Sequence, residues 1–479
     1  MSKPAAAFQA AASAYVGERE TRAFLRQSLA GYLAQRRTGE ERFQDWEEAR
    51  VAASAAKGEA LDYLDRYLAD FLTRIEKRGT RVFFARDAAR ARERVVEIVR
   101  EHDAKCIVKS KSMTGEEIDL SETLEHLGYE VVETDLGEYI VQLRGERPFH
   151  IVAPAMHLRR EEIRELFAGK IGPEAGRSAE PEALTMDARR AIRRKYLEAD
   201  IGISGVNFAV AETGQICVCT NEGNGRLSTS LPRVHIAVMG LEKLVPNLDD
   251  LALLLPMLAT AGTGQHLTGY TTIIGGPRQP GEADGPEEFH LIILDNGRTA
   301  LLADDEQRDA LHCIRCGACI YMCPIFKNIG GHSYGTTYMG PIGSVITPHL
   351  RGLEEWRHLP SSSSLCGACT ETCPVRIDLH HHLLHNRRNA AAAHPAPLEK
   401  LALRAYGWLA GRPALFSLAG KLGKLALRAF SPLLGTALDP ARGWTRCRAL
   451  PEPPRQSFRE WWKTHEPEPA SERDDDDEE

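Results

Sequence analysis

The chain has no run of 18 or more consecutive apolar residues, so the sequence offers no transmembrane span. It has no leader of the charged, apolar, small-residue kind at its N-terminus, which with its cysteine usage predicts a reducing, cytoplasmic location. A basic excess is missing too. The formal net charge is −7, and residues 472–479, with seven acids and one arginine, hold most of it, so no broad positive field is left to attract nucleic acid. No G-x-G-x-x-G follows a predicted strand, which lowers the expectation of a bound nicotinamide or flavin. The last shortage is local: a four-cysteine motif recurs with only three cysteines.

That motif is what the sequence does have. Seven of the eleven cysteines stand in two runs, Cys313-Ile-Arg-Cys316-Gly-Ala-Cys319-Ile-Tyr-Met-Cys323-Pro324 and Cys366-Gly-Ala-Cys369-Thr-Glu-Thr-Cys373-Pro374. The first is the C-x2-C-x2-C-x3-C-P pattern of two-cluster ferredoxins, in which the fourth thiolate crosses to the other cluster. The spacing exceeds what tetrahedral zinc needs and weighs against disulfides or zinc knuckles. Aligned backward from Cys373, the second run puts Ser363 in the slot of the missing thiol. The crossing rule assigns Cys313, Cys316, Cys319 and Cys373 to cluster 1, and Cys323, Cys366 and Cys369 to cluster 2. Two iron–sulfur clusters are expected, of the 4Fe-4S kind. For the second, three completions stay open: a 4Fe-4S cluster capped by water or an oxygen ligand such as Ser363, a 3Fe-4S cluster, or a ligand from elsewhere.

With 479 residues and 43% hydrophobic content, the chain is long enough for several cored domains. Residues 1–60 read as a helical arm without visible chemistry. From Arg81, short apolar strands alternate with helical segments at 81–85, 106–109 and 130–133, and further strands are predicted at 150–153, 201–211, 215–220, 234–238, 271–274 and 289–294. This alternation predicts a large α/β domain over 61–303 built on a mostly parallel sheet, with ligand loops at the carboxyl ends of its strands. An α-helical, ferredoxin-like domain follows over 304–390, a helical extension over 391–466 and an acidic, disordered tail over 467–479. The Gly-, Thr- and Pro-rich stretch 328–364 is long for a loop and reads as functional or partner-facing. Leu398 to Leu434, apolar with interspersed Lys and Arg, fits either packing on the cluster domain or a docking surface for partners or an anionic, peripheral membrane face.

Within the α/β domain, Lys109 and Lys111 sit where a strand gives way to a helix and can hold an anion there, although capping by Ser112 or Thr114 accounts for the same residues. Glu212, Asn221, Glu222 and Arg226 lie in turn-rich segments about a short strand and complete a candidate pocket for an anionic substrate; a hairpin with well-chosen turn residues is the plainer alternative. Cys217 and Cys219 share one face of a strand and read first as small core residues. His381 and His385 lie four apart on a helix without a third metal ligand. Cys106 and Cys447 carry no assigned role.

Val108-Lys-Ser-Lys-Ser-Met113, Glu133-Thr-Asp-Leu-Gly-Glu-Tyr-Ile140, Gly205-Val-Asn-Phe-Ala-Val-Ala-Glu-Thr-Gly214, Asn221-Glu-Gly-Asn224 and the seven-cysteine pattern together resemble the LutB-type lactate-utilisation iron–sulfur proteins of bacteria, over almost the full length. The resemblance implies a LUD domain, of the sort shared with sugar-phosphate isomerases (NagB and RpiA) and CoA transferases, followed by a two-cluster ferredoxin-like domain. It also implies the electron-carrying part of a three-part system that oxidises L-lactate to pyruvate, with the other lactate-utilisation subunits as partners and L-lactate or pyruvate as the ligand. The family's second cluster has the same three-thiol motif, so Ser363 is no departure from it. Lactate gives up two electrons and a cluster normally carries one, so a pair of clusters suits a relay. A catalytic role for the α/β domain itself, and an iron–sulfur scaffold or redox sensor, are the competing readings.

Overall fold

A computed structural model of the chain describes residues 2–465 except 395, 396, 437, 440, 441, 446, 447, 449, 451 and 453; Cys447 and the acidic tail lie outside the described residues. Ten strands form two sheets. β1 (Arg81–Ala85), β2 (Cys106–Lys109), β3 (Glu130–Glu133), β4 (Ile201–Gly205), β7 (Val234–Gly240) and β10 (Glu288–Leu294) make a six-stranded sheet in the order β1-β10-β7-β4-β2-β3, parallel throughout. Burial on both faces explains why the central strands are mostly apolar rather than alternating: every residue of β2 and β7 is buried. The helix Ala88–Glu101 shows how a crossover is set. Asp87 caps it by accepting from Arg90 N at 2.9 Å, and Ala91, Val95, Ile98 and Val99 recur at helical spacing on the face that packs on the sheet.

The second sheet is smaller and mixed. β5 (Phe208–Val210) and β6 (Gln215–Thr220) are an antiparallel pair, flanked by β8 (Leu244–Val245), parallel to β5, and by β9 (Tyr270–Ile274), antiparallel to β6. One predicted strand, 201–211, is thus divided between two sheets. The strand predicted at 150–153 does not form, because His150 Nδ1 accepts from the amides of Val152 and Ala153, at 3.1 and 3.2 Å, and takes the donors a ladder would use.

The chain divides into two compact units, residues 1–393 and 394–479. Within the first, the N-terminal helices Arg19–Glu40 and Trp46–Asp62 are part of the core rather than an arm, with Leu25, Leu29 and Ala53 fully buried. The stretch 328–364 is not a loop throughout either. It contains the helix Gly340–Arg351, whose residues Gly340 to Pro348 are all buried. In the second unit, helices Pro397–Ala410 and Pro413–Phe430 contain no buried residue and expose Leu398, Leu401, Leu403, Leu418, Leu422 and Leu425. Among the described residues no helix is long and apolar enough to cross a membrane.

Candidate functional site

β3 lies on one side of β2 and β4 on the other, so the chain reverses across the sheet here and the loops leaving β2 and β4 part. A cleft of about 460 Å³ opens at this point, beyond the carboxyl ends of the strands. Lys111 to Thr114 reach it from β2, Asp135 to Gly137 from β3, Gly205 to Asn207 from β4 and Lys243 from the turn after β7; Cys219, Thr220, Asn221 and Glu222 close another side. Its far wall comes from the first cysteine motif, Arg315 and Cys316.

A second, much smaller cavity lies behind that wall, and Cys313, Cys316, Cys319 and Cys373 all line it. Ile151, Arg315 and Cys316 line both spaces, so a single layer of side chains separates the cleft from the four thiols. None of the ten cysteines among the described residues forms a disulfide. Burial pushes the Cys316 thiol up to about 11, with Cys313 adding to the shift, and burial with the nearness of Cys316 and Cys313 pushes Cys373 up to about 12. Cys369 is raised to about 11 by burial, then by Cys323 and Cys366, which places those three together as a second set. Such a donor set fits iron–sulfur ligation: buried free thiols stay protonated near neutral pH, and a metal site draws the protons off.

Both motifs use the same backbone. Arg315 and Leu365 take φ of 63° and 54°, and Gly317 and Gly367 take 80° and 81°, each pair standing just before and just after Cys316 and Cys366. This repeats the alignment that puts Ser363 opposite Cys313. The Ser363 hydroxyl accepts from Leu365 N at 3.1 Å. Gly317 is held to glycine twice over, since its positive φ disfavours a side chain and a Cβ would lie 2.9 Å from Val152 Cγ2. Cys316, Cys319, Cys369 and Cys373 are buried and Cys313 and Cys323 partly so, whereas Cys366 is exposed.

The six-residue pocket expected from sequence is divided. Lys111, Asn221 and Glu222 line the cleft. Lys109 does not: it is fully buried, with Nζ 2.7 Å from Glu133, 3.0 Å from Glu116 and 3.8 Å from Glu138. Those carboxylates outweigh the cost of burial and hold its ammonium well above the usual lysine range. Glu212 accepts from Leu248 N at 3.1 Å, where a helix starts, and Arg226 lies over the Tyr270 ring at 5.0 Å. Ser112 caps the short helix Met113–Glu117 by accepting from Gly115 N at 3.0 Å. Burial, then the neighbouring Asp135 carboxylate, raises Glu222 to about 7. Cys217 is buried and Cys219 only partly so, their sulfurs 3.9 Å apart. His381 pairs with Asp378 at 2.6 Å.

Several functional neighbours escape a sequence reading. Arg50 Nε donates to the carbonyl of Cys373 at 2.9 Å, and Arg36 bonds the hydroxyl and carbonyl of Thr372. Lys57, seven residues after Arg50 and so on the same helix face, donates to the carbonyls of Glu242 and Leu244. Arg298 bridges Glu117, at 2.7 Å, and Glu242, at 2.6 Å; Arg315 Nη2 reaches Glu242 at 3.3 Å. The visible signal was cationic residues spaced on helices of otherwise unremarked sequence.

Comparison with known proteins follows the same order along the chain. Residues 68–294 match the LUD domain family, residues 309–377 a 4Fe-4S dicluster domain, and residues 380–467 the family "Lactate utilisation protein B, C-terminal". Among curated relatives, "Lactate utilization protein B" of Bacillus velezensis is 45% identical over 452 residues, covering 92% of this chain and 94% of its own. The protein of that name from Shouchella clausii is 45% identical over 455 residues (93% and 95%), and that of Bacillus subtilis strain 168 is 44% identical over 452 residues (92% and 94%). A solved structure of a DUF162 family protein from Deinococcus radiodurans aligns with 48% of this chain and 98% of its own, at 14% identity and a TM-score of 0.28.

Proposed function

Because the chain belongs to the lactate utilisation protein B family and is an iron–sulfur component of lactate utilisation, we propose that it carries electrons released in the oxidation of L-lactate to pyruvate through two clusters to an acceptor outside the chain. Cys313, Cys316, Cys319 and Cys373 hold the first cluster, and Cys323, Cys366 and Cys369 the second, which takes three thiolates; both are of the 4Fe-4S kind. A bound cluster supplies one-electron acceptance and release, so two of them divide the two-electron step.

One observation carries the direction of travel. Cys316 belongs to the wall of the cleft, and Cys366, in the other set, is exposed. Electrons enter on the cleft side, at the buried thiols, and leave beside Cys366. The buried cations Arg36 and Arg50 hold the Thr372–Cys373 backbone in place, which fixes the thiol that comes from the distant motif. Partners are the other lactate-utilisation subunits, and the exposed leucines of 397–430 offer them apolar surface.

The test is anaerobic purification with iron and sulfide assay and EPR. About eight irons per chain, reduced by dithionite, and by lactate only when the other lactate-utilisation subunits are added, is the expected result. About four irons or none removes the two-cluster assignment, and reduction by lactate alone moves the oxidation into this chain.

A further inference from the structure

We propose that the cleft binds the carboxylate of a small 2-hydroxy or 2-oxo acid between Lys243 and Arg315, against the wall it shares with the first cysteine motif. The choice of acid rests on the function proposed above; the anion site itself rests on hydrogen-bond donors that the protein leaves unused.

Arg315 is one of them. Its side chain is only 7% exposed, Nη2 reaches Glu242 Oε1 at 3.3 Å, and Nε and Nη1 have no partner among the described residues. The guanidinium also stacks over the Tyr338 ring at 4.8 Å, which fixes its plane but satisfies no N–H. Leaving buried donors of a charged group unbonded is destabilising, so a native structure that does so at a cleft wall has a place for an acceptor. Lys243 is the second. It is buried, lines the same cleft, and its Nζ has neither a hydrogen bond nor an ion pair among the described residues. Burial pushes its ammonium down to about 8, so it is still charged near neutral pH.

Charge counting points the same way. Around Glu242 the buried side chains of Lys243, Arg298 and Arg315 are three cations against two carboxylates, Glu117 and Glu242, while burial pushes a fourth basic group, Lys57, down to about 7. Lys57 is satisfied by the Glu242 and Leu244 carbonyls, and Arg298 takes both carboxylates at 2.6–2.7 Å. Lys243 and Arg315 are left with one distant oxygen between them. Lys111, the third cation in the cleft, already donates to Val152 O at 2.6 Å.

A planar carboxylate matches the fork of a guanidinium, and the apolar residues that line the same cleft, Val206 and Leu258 among them, suit the carbon body of an organic acid better than a bare inorganic anion. A competing role for the same cations is to balance the thiolates, since Cys313 lies within electrostatic reach of both. That role predicts a change of cluster potential when they are replaced, and no change in ligand binding.

The experiment uses the full chain with its clusters in place, kept anaerobic, with pyruvate as the probe. Titration calorimetry and EPR of the dithionite-reduced protein are expected to give one saturable site per chain and a perturbed signal from the cluster held by Cys313. Lys243→Met and Arg315→Lys are each expected to weaken pyruvate binding about tenfold or more at unchanged iron content. Lys243 lies outside the cysteine motifs, so Lys243→Met decides the matter if Arg315→Lys loses iron. No saturable binding, or binding that both variants leave at full strength while the cluster potential shifts, overturns the inference. Two reducible clusters without pyruvate binding would sink this site and leave the electron-carrier reading standing; a chain without clusters would sink that reading instead.

Discussion

Arg50, on an N-terminal helix, donates from Nε to the carbonyl oxygen of Cys373 at 2.9 Å, and from Nη2 to that of Thr370 at 3.4 Å. A helix that looked featureless in sequence therefore fixes the thiol that crosses between the motifs. Arg50→Ala leaves two buried carbonyls short of a donor and is expected to cost about 1–3 kcal/mol, with faster iron loss on exposure to a chelator. Thermal denaturation and iron release read this; a variant as stable and as slow to lose iron as the parent contradicts it.

Cys366 is exposed and Cys316, Cys319 and Cys373 are buried, so single replacements in the two proposed sets are expected to act separately. Cys366→Ser should lower iron by at most about half and leave the EPR signal of the cluster proposed for Cys313 in place, whereas Cys313→Ser should remove the signal that pyruvate perturbs. Loss of both signals from Cys366→Ser would mean that the sets are not independent sites.

Gly317 tests the wall between cleft and thiols. With φ of 80° and a would-be Cβ 2.9 Å from Val152 Cγ2, Gly317→Ala forces the Cys316–Cys319 turn away from residues 150–152. A loss of about 1–2 kcal/mol from the backbone term alone is expected, with added cost from the clash. The equivalent Gly367 meets nothing within 4 Å, so Gly367→Ala should show only the backbone cost. Equal melting temperatures for the two variants would rule out the steric part.

The ion network about Arg298 sets the acid limit. Arg298 holds Glu117 below the ordinary carboxylate value of 4.5, and Arg298 and Arg315 hold Glu242 further below it, in each case against the opposing effect of burial. A carboxyl whose pKa is depressed on folding contributes stability that is complete above the unfolded value and is lost as pH falls from about 4.5 toward the folded one. Denaturant titrations from pH 7 down to 3 should show that loss. Glu242→Gln should lower stability at pH 7 by about 3–5 kcal/mol, because it leaves two guanidinium groups short of a buried partner, and should flatten the acid slope. An unchanged slope contradicts the assignment.

Much of the fold was legible because buried parallel strands are short apolar runs: β1, β2 and β3 stand where 81–85, 106–109 and 130–133 read as strands. The second sheet was legible in part: 215–220 and 271–274 read as strands and are β6 and β9, but β8 was missed and 201–211 looks continuous until Asn207 turns its side chain to accept from Cys219 N at 2.9 Å and hold the β5–β6 pair. Cysteine spacing pointed to seven thiols, and four of them, Cys313, Cys316, Cys319 and Cys373, line one cavity. The cleft was only half visible. Lys109 and Lys111 look alike in sequence, yet the acids that claim Lys109 come from Glu116, Glu133 and Glu138, and no local pattern says which acids fold back on which lysine. Arg315 passes for a spacer between cysteines, and Lys243, in Leu-Glu-Lys-Leu, for a solvated charge.

The carbonyl that Arg50 holds is joined to the chain 323 residues after Arg50 itself. At about 5–20 residues per second, translation takes roughly 15–65 s to deliver it, and through that interval the nascent helices carry buried-type cations without their acceptors. The cluster proposed above for Cys313 and Cys373 together can be completed only when the ribosome has passed both. On that proposal metal loading is a late event in the life of this polypeptide, and iron starvation should leave a nearly finished chain whose first-made helices are still waiting for their last-made partner.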